Sequence, residues 1–127
     1  MANGIASQAG KLATAKSSGY SSTKHAVLGF TNSIRMELAQ TNINVSAVNP
    51  GPVETNFFVT ADKSGKYVQN AKKFMLKADD VANQIIRLME HPKRELNLPI
   101  WMGIGSTIYN LFPTFFEKII GNQLNMK

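Results

Sequence analysis

The sequence predicts an α/β fold: part of a doubly wound parallel sheet, about three strands with flanking helices. Three observations carry that expectation. Ile43-Asn44-Val45-Ser46-Ala47-Val48 alternates apolar and polar residues and stops at Asn49-Pro50-Gly51-Pro52, a strand followed by a hard turn. Apolar residues at spacings of three and four mark helices before and after it. The elements then run strand, helix, strand, helix, helix, strand, helix, the alternation of a parallel sheet covered by helices. The first of the three strands is a stub, and a parallel sheet needs cover on both faces, so the pattern fits a portion of a larger sheet.

Taken in order, residues 4–7 (Gly4-Ile5-Ala6-Ser7) read as the end of a strand, and residues 8–16, small and polar, as a loop. Ser17 and Ser18 suit the start of a helix over residues 19–39. Its stripe is Val27, Phe30, Ile34 and Leu38, and Asn42 closes it. After the strand at 43–48, residues 53–66 read as an irregular loop, with a weak helix over 67–76. A stronger helix begins at Asp79 or Asp80 and ends near His91, with Val81, Ile85, Leu88 and Met89 on one face and Pro92 as the stop. A short strand is expected over 97–102, with Trp101 ending it in the core. In the tail, Ile108, Leu111, Phe112, Phe115, Phe116, Ile119 and Ile120 form a helical stripe interrupted by Pro113, where a kink or fresh start is expected.

Composition bounds the function. The chain has 127 residues, 43% hydrophobic and 17% charged, which fits a globular chain and argues against a disordered one. With no cysteine, a disulfide framework, a Cys-based zinc site and a thiol nucleophile are excluded. Two histidines argue against a structural metal site. Fourteen Lys and Arg against eight Asp and Glu give a net charge of +6, which by itself does not choose among nucleic acid, an anionic membrane and an anionic small ligand. The first residues lack a secretory signal pattern, and no window reaches the roughly 18 apolar residues of a spanning helix. The reading is a cytoplasmic protein.

The most informative segment joins Ser7 to Tyr20-Ser21-Ser22-Thr23-Lys24. Tyr20 and Lys24, four apart near a helix start, project from one face. An ammonium held near a phenol favours the phenolate, and a phenol so placed can exchange a proton with a carbonyl or alcohol oxygen. Ser7 ends a strand, where α/β sheets place their active residues, and its hydroxyl suits holding the same oxygen. Alone, a Tyr-x-x-x-Lys match usually means a partly exposed Tyr beside a solvated Lys.

Three motifs in order change that weighting: Ser7-x-x-Gly10, Tyr20-x-x-x-Lys24 and Asn49-Pro50-Gly51-x-x-x-Thr55. Together they resemble the short-chain dehydrogenase/reductase family, whose fold is Rossmann-like. The resemblance covers essentially the whole chain and matches the C-terminal half of a typical member. It implies Tyr20 as general acid/base, Lys24 on the nicotinamide ribose and supporting Tyr20, and Ser7 on the substrate oxygen. Pro50, Gly51 and Val53 would line the nicotinamide side, and Thr55 would reach the cofactor's amide or phosphates. The implied cofactor is NAD or NADP, the substrate a small carbonyl or alcohol, and the assembly a homodimer or homotetramer.

The sequence also departs from the family. Its nine glycines form no G-x-x-x-G-x-G phosphate loop, no residue can be assigned to reading the adenosine ribose, and the family's catalytic Asn would lie upstream of Met1. Many members carry Asn three positions before the Ser, where this chain has Gly4. The sequence therefore reads as a truncation, an internal start or a junction. The alternative to an NAD(P)-dependent oxidoreductase is a non-catalytic fragment lacking the dinucleotide-binding half and acting only by association, if at all.

The domain reading is one portion of a Rossmann-like domain over 1–127, with a variable substrate loop at 53–77 and an apolar helical tail at 104–127. Lys63, Lys66, Lys72, Lys73 and Lys77 cluster in that loop and read as a solvated face. Few aromatics are interleaved, so nucleic acid is not expected as a partner. The tail reads as packing on its own or a partner's core, with peripheral membrane contact as the alternative; only Lys118 lies inside its stripe. His25 reads as structural and His91 as a charge at a helix C-terminus.

Overall fold

A computed structural model describes residues 2–12, 17–61 and 65–124. Three strands, β1 (Ala2–Ile5), β2 (Val45–Pro50) and β3 (Glu95–Leu98), form one sheet in the order β1-β2-β3. Both pairings are parallel, with Ile5 opposite Val48 and Asn49 opposite Asn97. The α/β class and the parallel sheet are as the sequence predicts. The helices are α1 (Ser18–Glu37), α2 (Phe57–Ala61), α3 (Lys66–Ala71), α4 (Ala78–Glu90), α5 (Ile100–Leu111) and α6 (Pro113–Leu124).

The central strand runs over 45–50 rather than the expected 43–48, and Ile43 is exposed before it. Val45, Ser46, Ala47, Val48 and Asn49 are all buried, because β2 has a strand on each side and helices over it. Its polar residues are bonded inside: Ser46 Oγ donates to the Lys93 carbonyl at 2.6 Å. Strand alternation puts Gly4, Ala47 and Asn97 on one face and Ile5, Val48 and Leu96 on the other. On the first face, Thr31 of α1 lies against Gly4 and Gly103 of α5 lies against Asn97. On the second, α4 packs against β2 and β3, and its Leu88 lines a cleft with Leu96. On this face Ile5 of β1 is 58% exposed.

The face α1 turns to the sheet keeps Val27, Ile34 and Leu38 of the expected stripe half-buried and leaves out only Phe30. Ser21 and Thr31 are its buried residues, whereas Phe30 is 67% exposed. Small side chains are needed there, because the backbone at Gly4 and Gly10 comes too close for large ones. Arg35 fastens the far end of α1. Its Nε donates to the Val45 carbonyl at 2.9 Å, Nη2 to the Arg94 carbonyl at 3.0 Å, and Nη1 to Asn32 Oδ1 at 2.5 Å. Burial pushes the Arg35 guanidinium below its usual range, Arg94 adds to the effect and Glu95 opposes it.

Several element boundaries differ from expectation. Residues 53–66 are not wholly irregular, since α2 lies within them. The weak helix at 67–76 is α3, a 3-10 turn over Lys72–Phe74, and an extended end where Leu76 pairs with Val53. The last strand ends at Leu98, not 102. Pro99 lacks an N–H to continue the ladder, and α5 begins at Ile100. Trp101 therefore sits in the first turn of a helix and is 54% exposed, rather than ending a core strand. The helical tail starts before 104, and the expected interruption at Pro113 separates α5 from α6. Lys63 lies outside the described residues.

Candidate active site

The candidate residues gather at the carboxyl ends of β1 and β2, where open parallel sheets hold their ligands. Ala6 continues β1 by donating its N–H to the Val48 carbonyl at 2.9 Å, and the chain then turns at Ser7. Ser7 is extended (φ −171°, ψ 163°) and caps the 3-10 turn Gln8–Gly10, its Oγ accepting from Ala9 N–H at 3.2 Å. The same Oγ donates to the Pro50 carbonyl at 3.4 Å. A bond that long is weak, which leaves the hydroxyl able to turn toward another acceptor.

Gly10 brings this turn onto α1. A Cβ at Gly10 would stand 2.8 Å from the Lys24 carbonyl oxygen, so only glycine permits this approach. Upstream, α1 starts with the Ser21 N–H on the Ser17 carbonyl at 2.8 Å and the Ser17 and Ser21 hydroxyls 3.3 Å apart. One turn into the helix, Lys24 Nζ lies over the Tyr20 ring, 5.7 Å from its centroid. The shared helix face is as expected, with the ammonium over the ring face. Tyr20 is 43% exposed, and its ring meets that of Phe57 in α2 at 6.3 Å. The 53–77 segment thus borders Tyr20. His25 Nδ1 lies 2.8 Å from the Ser21 carbonyl.

On the β2 side, Gly51 donates its N–H to the Leu98 carbonyl at 2.6 Å. A Cβ there would reach Met102 Sδ at 2.8 Å, so Gly51 holds the Pro50-Gly51 turn close to α5. Val53 is held by its pairing with Leu76, with Glu54 N–H on the Leu76 carbonyl and Leu76 N–H on the Pro52 carbonyl, both at 2.8 Å. Thr55 is exposed just before α2. The structure therefore brings Ser7, Lys24, Tyr20 and Pro50 to one end of the sheet, with Val53 and Thr55 on the segment leading away.

A buried polar layer beneath the Ser7 turn was not singled out from sequence. Gln8 Nε2 donates to the Asn49 carbonyl at 2.8 Å and to Asn97 Oδ1 at 3.4 Å. Asn49 Nδ2 donates to Asn97 Oδ1 at 3.2 Å and Glu95 Oε2 at 3.4 Å, and Lys11 forms an ion pair with Glu95. The signal available was a polar residue at every second position of a strand, Glu95 and Asn97, beside Asn49 at the end of another. The bonds of this layer tie the turn to β2 and β3, while Gln8 Oε1 and Asn49 Oδ1 are buried without a hydrogen-bond partner.

A family model described as short chain dehydrogenase matches residues 4–65, a segment containing all seven candidate residues. A dehydrogenase/reductase SDR family protein 7-like from Dictyostelium discoideum is 39% identical over 116 residues, covering 89% of this chain and 35% of that protein. The chain belongs to the short-chain dehydrogenase/reductase family. A Drosophila melanogaster dehydrogenase/reductase SDR family protein 7-like is 36% identical over 125 residues, covering 94% of this chain and 38% of its own length. The chain thus spans somewhat over a third of the length of these short-chain dehydrogenase/reductase relatives. Among solved structures, an actinorhodin polyketide ketoreductase with NADPH matches at TM-score 0.59 and 28% identity, over 76% of this chain and 44% of that one. A 4-hydroxyisoleucine dehydrogenase complexed with NADH and succinate matches at TM-score 0.63 and 23% identity over the same shares, a likeness of fold.

Proposed function

We propose that this chain carries the proton-transfer side of an NAD(P)-dependent oxidoreductase that interconverts a carbonyl and an alcohol. The observation that supports the reading is the seating of the Ser7 turn on α1 through Gly10 against the Lys24 backbone, with Lys24 Nζ over the Tyr20 ring. The ketoreductase with NADPH and the dehydrogenase with NADH support a nicotinamide dinucleotide as the cofactor.

The residues present suit the nicotinamide end of such a cofactor. Lys24 offers an ammonium to ribose hydroxyls, while the Pro50-Gly51 turn, Val53 and Thr55 flank the place the ring would take. When bound, the nicotinamide supplies the hydride. Tyr20 donates its phenolic proton to the carbonyl oxygen in reduction and accepts it from the alcohol in oxidation. Ser7 Oγ leaves its long bond to the Pro50 carbonyl and holds the same oxygen. Lys24, over the Tyr20 ring, restricts the phenol and favours negative charge on it during transfer.

A second reading rests on the exposed apolar residues of α1. In that reading the chain acts by association. The exposed Phe30 and Met36 of α1 fit a subunit contact, in keeping with a homodimer or homotetramer.

The test is turnover of NADPH or NADH with simple ketones and alcohols by the purified chain and its Tyr20→Phe variant. The reading expects activity in the parent and a loss of at least about a hundredfold in the variant, the lower range for removing a general acid. Equal activity in both removes Tyr20 from the reaction.

A further inference from the structure

At the amino ends of β2 and β3, opposite the end that gathers Ser7 and Pro50, positive charge is concentrated. Arg35 and Arg94 share one acceptor: Arg35 Nη1 and Arg94 Nη2 donate to Asn32 Oδ1 at 2.5 and 3.3 Å. The other bonds of Arg35 go to the carbonyls of Val45 and Arg94, at 2.9 and 3.0 Å, so its charge meets neutral acceptors. A guanidinium offers five N–H donors, and these bonds leave part of that capacity unused. Glu95 is the acid set against the pair. It lies 3.8 Å from Arg94 Nε, beyond hydrogen-bond distance, and forms its close ion pair with Lys11. Among the described residues no carboxylate lies within ion-pairing distance of Arg35 or Lys93.

The two arginines and Lys93 border an open cleft of about 310 Å³, whose lining includes Leu38 and Ile43 and no Asp or Glu. A cleft lined by one sign of charge concentrates ligands of the other. The cationic segment is fixed from behind. Ser46 Oγ donates to the Lys93 carbonyl at 2.6 Å, and Ala47 N–H donates to the Arg94 carbonyl at 3.0 Å. Its backbone is therefore ordered before a ligand arrives, which lowers the cost of binding. Burial, and then the nearby Arg94, hold the Arg35 guanidinium below its usual range, and an anion between the two arginines offsets their repulsion. The adjoining cleft beside Arg87 and His91 shares Lys93 but also contains Glu90, so it is less suited to an anion.

We propose that this cleft binds the phosphate group of a small phosphomonoester, with Arg35 and Arg94 donating to its oxygens and Lys93 adding a third positive charge. Planar guanidinium forks match phosphate oxygens in geometry as well as charge. A phosphomonoester carries a charge of about −1.5 to −2 at neutral pH, which suits a cluster of three cations. Leu38 and Ile43 offer an apolar wall to the carbon chain of the ester. The site is separate from Tyr20 and Lys24, which lie toward the other end of the sheet, and stands whether or not the chain turns over a carbonyl.

The full chain is titrated with inorganic phosphate and with glycerol phosphate at constant ionic strength, followed by amide NMR spectra. The expected result is saturable shifts at the amides of Val45, Lys93 and Arg94 and at Arg35 Nε–H, with glycerol phosphate binding more tightly than inorganic phosphate. Arg94→Gln weakens both ligands at least about tenfold, through loss of a charge-assisted bond, and Lys93→Gln weakens them less. Both side chains are exposed, so circular dichroism of the two variants stays that of the parent. Shifts that rise linearly without saturation, equal affinity in Arg94→Gln, or saturable shifts centred on Lys24 and Gly51 overturn the proposal. Tighter binding of inorganic phosphate than of the ester overturns the ester as the ligand. None of these readouts depends on oxidoreductase activity.

Discussion

A Cβ at Gly4 would lie 2.1 Å from Oγ1 of Thr31. Thr31 is buried in α1, where Oγ1 donates to the Val27 carbonyl at 2.8 Å and fills the space beside β1. Gly4 stands where many short-chain dehydrogenases/reductases carry Asn, and Thr31 gives the reason: the sheet-facing threonine leaves no room for a side chain. Gly4→Ala is expected to destabilise by about 2 kcal/mol, as overpacking does. Adding Thr31→Ala should recover part of that loss, and urea denaturation of the two single variants and the double measures the coupling. Strictly additive effects would show that the two sites do not meet.

Gly10→Ala tests how the Ser7 turn is held. The new Cβ would meet backbone, the Lys24 carbonyl oxygen at 2.8 Å and its carbon at 3.1 Å, and backbone yields little. The variant should lose about 1–3 kcal/mol of stability. It should also lose turnover beyond that explained by unfolding, because the turn that carries Ser7 is displaced from α1. Denaturation midpoints and single-turnover rates at a temperature where the variant is folded separate the two effects.

Arg35→Met removes three hydrogen bonds while keeping an unbranched side chain. The Val45 carbonyl, on a buried residue, loses its charged donor. The expected cost is about 2 kcal/mol. The loss should be nearly the same at low and high salt, because it comes from hydrogen bonds more than from long-range charge. A loss below about half a kcal/mol would show that Arg35 is a surface ornament of α1.

Asn49→Leu strips the buried polar layer of its centre. Glu95 and Asn97 each lose a donor, and Asn49 is fully buried, so water cannot readily replace it. A loss of about 1–3 kcal/mol is expected in thermal or urea unfolding. Glu95 keeps Lys11 as its partner, so Lys11→Met should couple to Asn49→Leu instead of adding to it.

What was legible in the sequence follows from where each signal is local. The strand ending at Asn49-Pro50-Gly51, the helix with Asp79 and Asp80 in its first turn (it starts at Ala78, one residue earlier than expected), and the break at Pro113 rest on turn, helix-dipole and proline chemistry carried by adjacent residues. Of the α1 stripe, only Phe30 falls outside the sheet-facing side; Thr31, the buried residue beside Gly4, carries no apolar signal, and its role depends on a contact distant in sequence. Trp101 was placed in a strand because apolar residues at 98–102 suit either element; the ladder's end at Pro99 decides it. For the site, Ser7, Tyr20 and Lys24 were legible through their spacing. Gln8, Asn97 and Glu95 were not, since their role exists only once β2 and β3 pair.

The most direct measurement is titration of NADPH and NADH against the purified chain, followed by nicotinamide fluorescence. Saturable binding of one or both is expected, weakened at least about tenfold by Lys24→Met, through loss of a charge-assisted bond, and nearly unchanged by Tyr20→Phe. No saturable signal at millimolar cofactor, or equal affinity in Lys24→Met, would contradict it and leave the chain as a non-catalytic member of its family.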